Sequence, residues 1–437
     1  MHKSQNIIQN CDIVVVGGGP AGSIGAGVLA KKGYNVVVLE KEKFPRNTVG
    51  ESIIPTFWKF TDLIDASEDI ENEGFIQKTG GIVAWEGKAR TVSFKSFGIE
   101  RNALHVERDR FDQILLDKVK ELGAEVLEEM KVTSIDNSNP EEAIVKYTNI
   151  KDQESYQIKA KYVIDASGQQ AIFSKQKGCR SFDTNFGFQA VWGYFDRSYF
   201  YDKNLDIRPF EDRFQHGGMT SVSEIGNWGW CWKIMLREKV SVGIILSKEH
   251  QPKFKAGGTT LEERFDAFSK EIPLVGNMLS ESNLISGSVK SIRDYAYQST
   301  DLVFGNCFLA GDAAAFVDPI SSEGVPVSMY GGYLAAWAVS NSLKKPSRRD
   351  FYKKTFVQEY DKRLKIFKIL AYPSKQIPDH LFKLGQKIIH SFSEQELLLI
   401  LAQSHMTGRF ETLNKLLGNN SISREVKEVA LVEPTLL

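Results

Sequence analysis

The chain has 437 residues, with 55 Lys and Arg against 55 Asp and Glu, so its formal net charge is zero. That balance gives no support for a nucleic-acid partner or an acidic tail, and the length implies two or three structural units around a large core. Cys11, Cys179, Cys231 and Cys307 stand far apart with no C-x-x-C pair; they read as free thiols of a reducing, cytoplasmic setting and leave no metal framework.

The opening residues lack the apolar stretch of a signal peptide. No run approaches the roughly 18 apolar residues that span a bilayer, so no membrane span is expected. The strongest pattern covers 12–40. An apolar run over 13–16 reads as a buried parallel strand, and Gly17, Gly19 and Gly22 follow at G-x-G-x-x-G spacing. A helix is expected over 21–31 and a second strand over 35–39, ending at Glu40. Gly17 permits the tight turn, Gly19 the approach of a pyrophosphate, and Gly22 close packing of helix on strand. The helix N-terminus, at Pro20 and Ala21, offers unpaired N–H groups to that pyrophosphate. Glu40 is placed to accept from ribose hydroxyls and disfavours a 2′-phosphate, so the expected ligand is FAD or NAD.

Residues 44–55 read as a loop before a helix starting near Thr56. Such a loop sits over the ligand crevice and brings Arg46, Glu51 and Ser52 toward cofactor or substrate. The β-prone runs of 75–95 suggest a hairpin in a second sheet, with Lys78 in a loop, where lysines are ordinarily solvated. A helix is expected over 111–122 with Asp109 as N-cap. Strands over 126–135, 142–147 and 156–164 then form a meander closed by the Asp165-Ala-Ser-Gly168 turn. Aromatic and β-branched residues fill 185–250. Trp228, Trp230 and Trp232 alternate with period 2 and share one face of the expected strand, either a packed sheet face or an aromatic wall beside a flavin. A strand over 303–310 leads into Gly311-Asp312, and a helix over 327–340 follows Glu323-Gly324 and aims its N-terminus at a negative charge. The basic run from Lys344 reads as a linker and solvated helix start, and 348–437 as helical.

The N-terminal fingerprint with Gly311-Asp312 resembles the FAD-binding pattern of p-hydroxybenzoate-hydroxylase-type flavoproteins. More narrowly, four stretches are similar to the flavin-dependent halogenases: Gly50-Glu-Ser-Ile-Ile-Pro55, Phe75-Ile-Gln-Lys78-Thr-Gly-Gly, Asp165-Ala-Ser-Gly168 and Trp230-Cys-Trp-Lys-Ile. The likeness covers roughly residues 10–345. The expected organisation is α/β with α+β character. A Rossmann-like FAD-binding domain takes 10–74, 98–180 and 290–345, an antiparallel-sheet substrate domain 75–97 and 181–289, and a helical C-terminal region 346–437.

The resemblance implies FAD contacts from Gly17, Gly19, Pro20, Ala21, Gly22, Glu40, Lys41, Arg46, Ser52, Arg108, Asp312, Gly324 and Val325. It implies Lys78 as the catalytic residue and a substrate tunnel bordered by Trp230, Trp232 and Glu323, with no metal. The implied activity is that of an O2-using oxidoreductase of secondary metabolism. Reduced FAD, supplied by a flavin reductase or by NAD(P)H, forms a C4a-hydroperoxide that halide attacks. Lys78 then passes the halogen to a small electron-rich aromatic, free or carrier- or protein-bound. Two positions depart from the family pattern: Met235 where it has Pro, and Glu323 where it has Ser or Thr. A carboxylate ~5 Å from chloride opposes it by roughly 3 kcal/mol at an effective dielectric of about 20. Glu-Gly at this place resembles the geranylgeranyl-reductase relatives instead. Aromatic hydroxylation, reduction of a lipid double bond and a flavin-bound accessory role stay open beside halogenation.

Overall fold

The computed structural model describes residues 9–216, 218–226, 228–372, 376–407, 410–418 and 427–430. Residues 1–8, where no leader is expected, lie outside the described residues, as do 373–375, 408–409, 419–426 and 431–437 of the expected helical C-terminal region.

The elements that build the site are, in chain order, β1 (Gln9–Val16), α1 (Pro20–Lys31), β2 (Val36–Leu39), β3 (Ile76–Trp85), β4 (Lys88–Ser93), β5 (Ala103–His105), α2 (Arg108–Glu121), β6 (Glu125–Leu127), β7 (Met130–Asp136), β8 (Ala143–Asn149) and β9 (Ser155–Asp165). They continue with β10 (Gln189–Phe195), β11 (Gly218–Gly226), β12 (Gly229–Met235), β13 (Val240–Leu246), β14 (Lys290–Arg293), β15 (Cys307–Leu309), α3 (Gly324–Lys344), α4 (Arg349–Ala371) and α5 (Glu394–Met406).

The first sheet runs β15-β9-β1-β2-β6 with every one of these pairs parallel, and β7 and β8 extend it antiparallel from β9. Helices cover a parallel sheet, so its central strands read as unbroken apolar runs, and Val14, Val15, Val37 and Val38 are fully buried. α1 and α3 cross at backbone distance: a Cβ at Gly332 would lie 2.0 Å from the Ala21 carbonyl oxygen. The second sheet runs β14-β10-β13-β12-β11-β3-β4, with β5 paired to β3. It is antiparallel except for β11 and β3, which are parallel, so the expected antiparallel sheet is mixed. β5, expected within the first unit, hydrogen-bonds to the second sheet.

Local differences from the sequence expectations have local causes. The single strand expected over 126–135 is two, β6 and β7, because Glu129 takes a left-handed φ of 64° between them. The strand expected over 303–310 is a hairpin that reverses at Gly305, φ 57°. α2 begins at Arg108, since Glu107 is the extended N-cap residue, and Asp109 lies inside the first turn. α3 begins at Gly324, ahead of the expected 327. Pro326 is no obstacle there, because a first-turn residue has no intrahelical N–H bond to lose. Trp228 is outside β12 at a hairpin turn with φ 70°, so it does not continue the alternation of Trp230 and Trp232. It packs instead on Phe186, Phe188 and Tyr372. Among the described residues of the C-terminal region helices predominate, and Lys427–Ala430 is a strand that pairs antiparallel with β4. Among the described residues no helix is long and apolar enough to cross a membrane.

Candidate active site

A cavity of about 790 Å³ takes its lining from both sheets. At one end are the glycine turn and the N-terminus of α1. Gly17 has φ 99°, and a Cβ on it would stand 2.5 Å from the Ala166 oxygen, so only glycine lets β1 turn beneath the Asp165-Ala-Ser-Gly168 loop. Gly22 lies behind the cavity wall, where a Cβ would come within 1.9 Å of the Gly17 oxygen. Glu40 is buried; its Oε2 accepts from the Gly18 N–H at 2.7 Å and its Oε1 from the Glu42 N–H at 2.8 Å. These bonds aim the carboxylate into the crevice with lone pairs to spare. Lys41 lines the same wall and pairs with Glu42.

Arg46 and Arg108 meet at Asp112. Arg108 grips it bidentately at 2.8 and 3.0 Å, and Arg46 reaches it at 3.1 Å. Arg108 also donates to the Val49 carbonyl at 2.9 Å, pinning the loop before Glu51. Asp312 follows β15 at the cavity edge; burial, opposed by Arg108, pushes its carboxyl up to about 6. Gly324 and Val325 bring the N-terminus of the 21-residue α3 to the lining. Two helix N-termini that donate, a side-chain-free turn and a buried accepting carboxylate at the end of β2 are what a dinucleotide requires. The residues therefore fit FAD, whose pyrophosphate would lie at α1 and whose ribose would lie at Glu40.

Lys78 is on β3, not in a loop, and is 1% exposed. Burial lowers its ammonium to about 7. It does not itself line the cavity: its Nζ donates to Ser52 Oγ at 2.8 Å, and Ser52 does line it. Ser52, expected among the FAD contacts, is thus held on the lysine side, with Thr220 Oγ1 at 2.8 Å and Ser322 Oγ at 3.2 Å. Behind Thr220 stands the fully buried His105, its Nε2 2.8 Å from Oγ1. Glu51 turns the other way, accepting from the Tyr194 hydroxyl at 2.7 Å.

Trp230 and Trp232 are buried neighbours on β12 with ring centroids 5.5 Å apart, and both face the cavity. Each indole N–H has an acceptor: Asp318 Oδ1 at 3.1 Å for Trp230 and Ser241 Oγ at 3.3 Å for Trp232. The Tyr295 hydroxyl takes the other Asp318 oxygen at 3.1 Å. Gly243 on β13 makes the room, since a Cβ there would stand 2.0 Å from the Trp232 ring.

Glu323, expected to border the substrate tunnel, does not line the cavity. It is 1% exposed and accepts from Arg363 of α4 at 3.2 Å. That guanidinium offsets the charge of the carboxylate through Oε1, while Oε2 is buried without a hydrogen-bond partner among the described residues. The sequence reasoning left Thr220, His105, Tyr194, Asp318, Gly243 and Arg363 without roles. No local motif marks them, because each acquires its partner from a distant strand or helix.

A family model described as "FAD binding domain" matches residues 10–239. The chain is 32% identical to a tryptophan 2-halogenase of Chondromyces crocatus over 79% of this chain and 64% of that protein. It is 31% identical to a 1H-pyrrole-2-carbonyl-[peptidyl-carrier protein] chlorinase of Pseudomonas fluorescens over 79% of this chain and 78% of that one. Among solved structures it is similar to the myxobacterial chondrochloren halogenase CndH, with TM-score 0.76 and 24% identity over 94% of this chain and 97% of that one. The flavin-dependent halogenase CmlS gives TM-score 0.73 and 25% identity over 93% and 72% of the two chains. The chain spans about two thirds of the length of the curated halogenases it matches, 64% and 66% for two of them. With the FAD-binding fingerprint, the buried Lys78 beside the cavity and the paired indoles of β12, the chain belongs to the flavin-dependent halogenase family.

Proposed function

We propose that this chain is an FAD-dependent halogenase that uses O2 and chloride or bromide to halogenate a small electron-rich aromatic, free or carried on a protein. Reduced FAD, supplied in the cytosol by a separate reductase, would bring the two electrons with which O2 and halide yield hypohalous acid and water. The chain's own residues do the rest. The α1 and α3 N-termini and Glu40 hold and orient the cofactor. Trp230 and Trp232 keep the aromatic substrate off the flavin ring and exclude water from the path of the oxidant. Lys78 offers an N–H to the oxidant's oxygen, which makes the halogen more electrophilic, and the aromatic carbon gives up its proton as the C–halogen bond forms. The Glu323–Arg363 pair accords with this reading, because the guanidinium offsets the charge of a carboxylate that would otherwise oppose a halide.

The observation that carries the reading is Lys78, a lysine buried in the sheet whose hydrogen bond leads to the cavity wall at Ser52. The test is mass spectrometry of electron-rich phenols and pyrroles incubated with the protein, FAD, NADH, a flavin reductase, O2 and bromide. Bromide-dependent substitution is expected, and Lys78→Ala should lose at least about 100-fold of it while still binding FAD and releasing peroxide. Oxygen insertion without halide would replace this reading with hydroxylation, and full activity of Lys78→Ala would remove Lys78 from the chemistry.

A further inference from the structure

Four side chains drawn from four separate segments form one hydrogen-bonded line from Lys78 into the sheet. Lys78 Nζ lies 2.8 Å from Ser52 Oγ, Ser52 Oγ 2.8 Å from Thr220 Oγ1, Thr220 Oγ1 2.8 Å from His105 Nε2, and His105 Nδ1 3.1 Å from the Met235 carbonyl oxygen. The last contact fixes the direction of every other. A carbonyl oxygen only accepts, so Nδ1 of His105 carries the proton. Burial, reinforced by the charge of Lys78, holds this imidazole neutral well below its ordinary value, which leaves Nε2 as an acceptor. The Thr220 hydroxyl therefore donates to His105, and the Ser52 hydroxyl donates to Thr220. Both lone pairs of Ser52 are then available to incoming donors, Lys78 and Ser322.

We propose that Ser52, Thr220 and His105 are positioning residues for Lys78: a one-way hydroxyl–imidazole line that presents Ser52 to the lysine as an acceptor only, and so keeps Lys78 in its ammonium form behind the cavity wall at Ser52. The proposal rests on the halogenase reading for its purpose but not for its geometry. Without the line, the Ser52 hydroxyl is free to turn and donate to the amine lone pair, which favours neutral Lys78. Burial is what lowers Lys78, and the carboxylates next in sequence to Ser52 and Ser322 have partners of their own: Glu51 accepts from Tyr194 and Glu323 from Arg363. Phe94 presents its ring 5.8 Å from Nζ, and Lys233 lies on the opposite face of β12, donating to the Tyr199 carbonyl. The left-handed backbone of Ser322, φ 55°, is the strained conformation that sets its hydroxyl against Ser52.

The experiment reads the titration midpoint of Lys78 directly, by the 13Cε resonance of lysine-labelled, FAD-loaded full-length protein, assigned by its loss in Lys78→Arg. Thr220→Val keeps the shape and removes the hydroxyl; it should lower the midpoint by about half to one pH unit. Thr220→Ser, which restores the hydroxyl, should return it to the parent value. An unchanged or raised midpoint in folded Thr220→Val overturns the proposal, as does a Thr220→Ser that behaves like Thr220→Val. Should Thr220→Val not fold, Ser52→Ala gives a second reading. A midpoint lowered by about one unit supports the line, and an unmoved one overturns it. Because the readout needs neither halide nor substrate, it stands apart from the halogenation assay. A protein that brominates phenols with a midpoint indifferent to Thr220 would overturn the line alone, and the reverse result would overturn the proposed activity alone.

Discussion

Arg363 reaches back 40 residues along the chain to donate to Glu323 at 3.2 Å, and so ties α4 to the residue that caps α3. The pair offsets the charge of a buried carboxylate. It also makes the C-terminal helices part of the site's electrostatics, although they contribute no lining residue.

Arg363→Met should leave Glu323 buried and unpaired. Removing one partner of a buried pair costs about 3–5 kcal/mol, so the melting temperature should fall by several degrees. Adding Glu323→Ser should recover most of that loss. Because Glu323 does not line the cavity, Glu323→Ser alone should change the halide KM by less than about threefold. Calorimetry of the single and double variants, with bromide titrations, checks both statements.

Activity that depends on the Lys78 ammonium has a defined sign with pH. Burial lowers this group from 10.5 to about 7, so the donor form is fully present below that value and lost as pH rises through it. The rate of bromination should therefore fall about tenfold per unit well above pH 7. A rate flat from pH 6 to 9, measured with reduced FAD supplied photochemically, would contradict the ammonium role.

The same burial predicts a trade between stability and function. A lysine whose folded value lies below its unfolded one destabilises the fold most at low pH, because the unfolded chain binds the proton more tightly. The cost is full below about 7 and disappears as pH rises toward 10.5. Lys78→Met should be inactive yet melt roughly 2–4 °C higher at pH 6, with the gain shrinking by pH 9.

Gly17→Ala tests the cofactor turn. Its Cβ would stand 2.5 Å from the Ala166 oxygen on a backbone of φ 99°. Strain of about 1–3 kcal/mol should weaken FAD binding by roughly ten- to 100-fold, seen as loss of yellow colour on gel filtration and by fluorescence titration.

Gly243→Ala addresses the aromatic wall from behind. The added methyl would collide with Trp232, 2.0 Å away, and push the indole from its place beside Trp230. FAD should still bind, while the peroxide released per halogenated product rises several-fold, which an oxygen electrode with catalase reads out.

The dinucleotide site was legible in the sequence because it is local. A strand, a glycine turn, a helix and a second strand within 30 residues carry their geometry in their own order, and Gly17 and Glu40 stand where that order puts them. The β12 tryptophans were legible for the same reason, as period 2 assigns a face without reference to any neighbour; Trp228 broke the pattern only because the hairpin turns there. Strand ends at Glu129 and Gly305 were missed because a single left-handed residue divides an apolar run without changing its composition.

What the sequence by itself determined was the nature of the cofactor and the family, and it singled out Lys78 as the candidate lysine. Only the tertiary structure decided the state of that lysine. Its burial follows from β3 pairing with β11 and β5, segments about 140 and 25 residues away in sequence, and its hydrogen-bond partner comes from the loop that follows β2. The fate of Glu323 was decided in the same way, by a helix that returns across the site. A carboxylate or an amine takes its charge from what surrounds it in space, and sequence spacing does not carry that information.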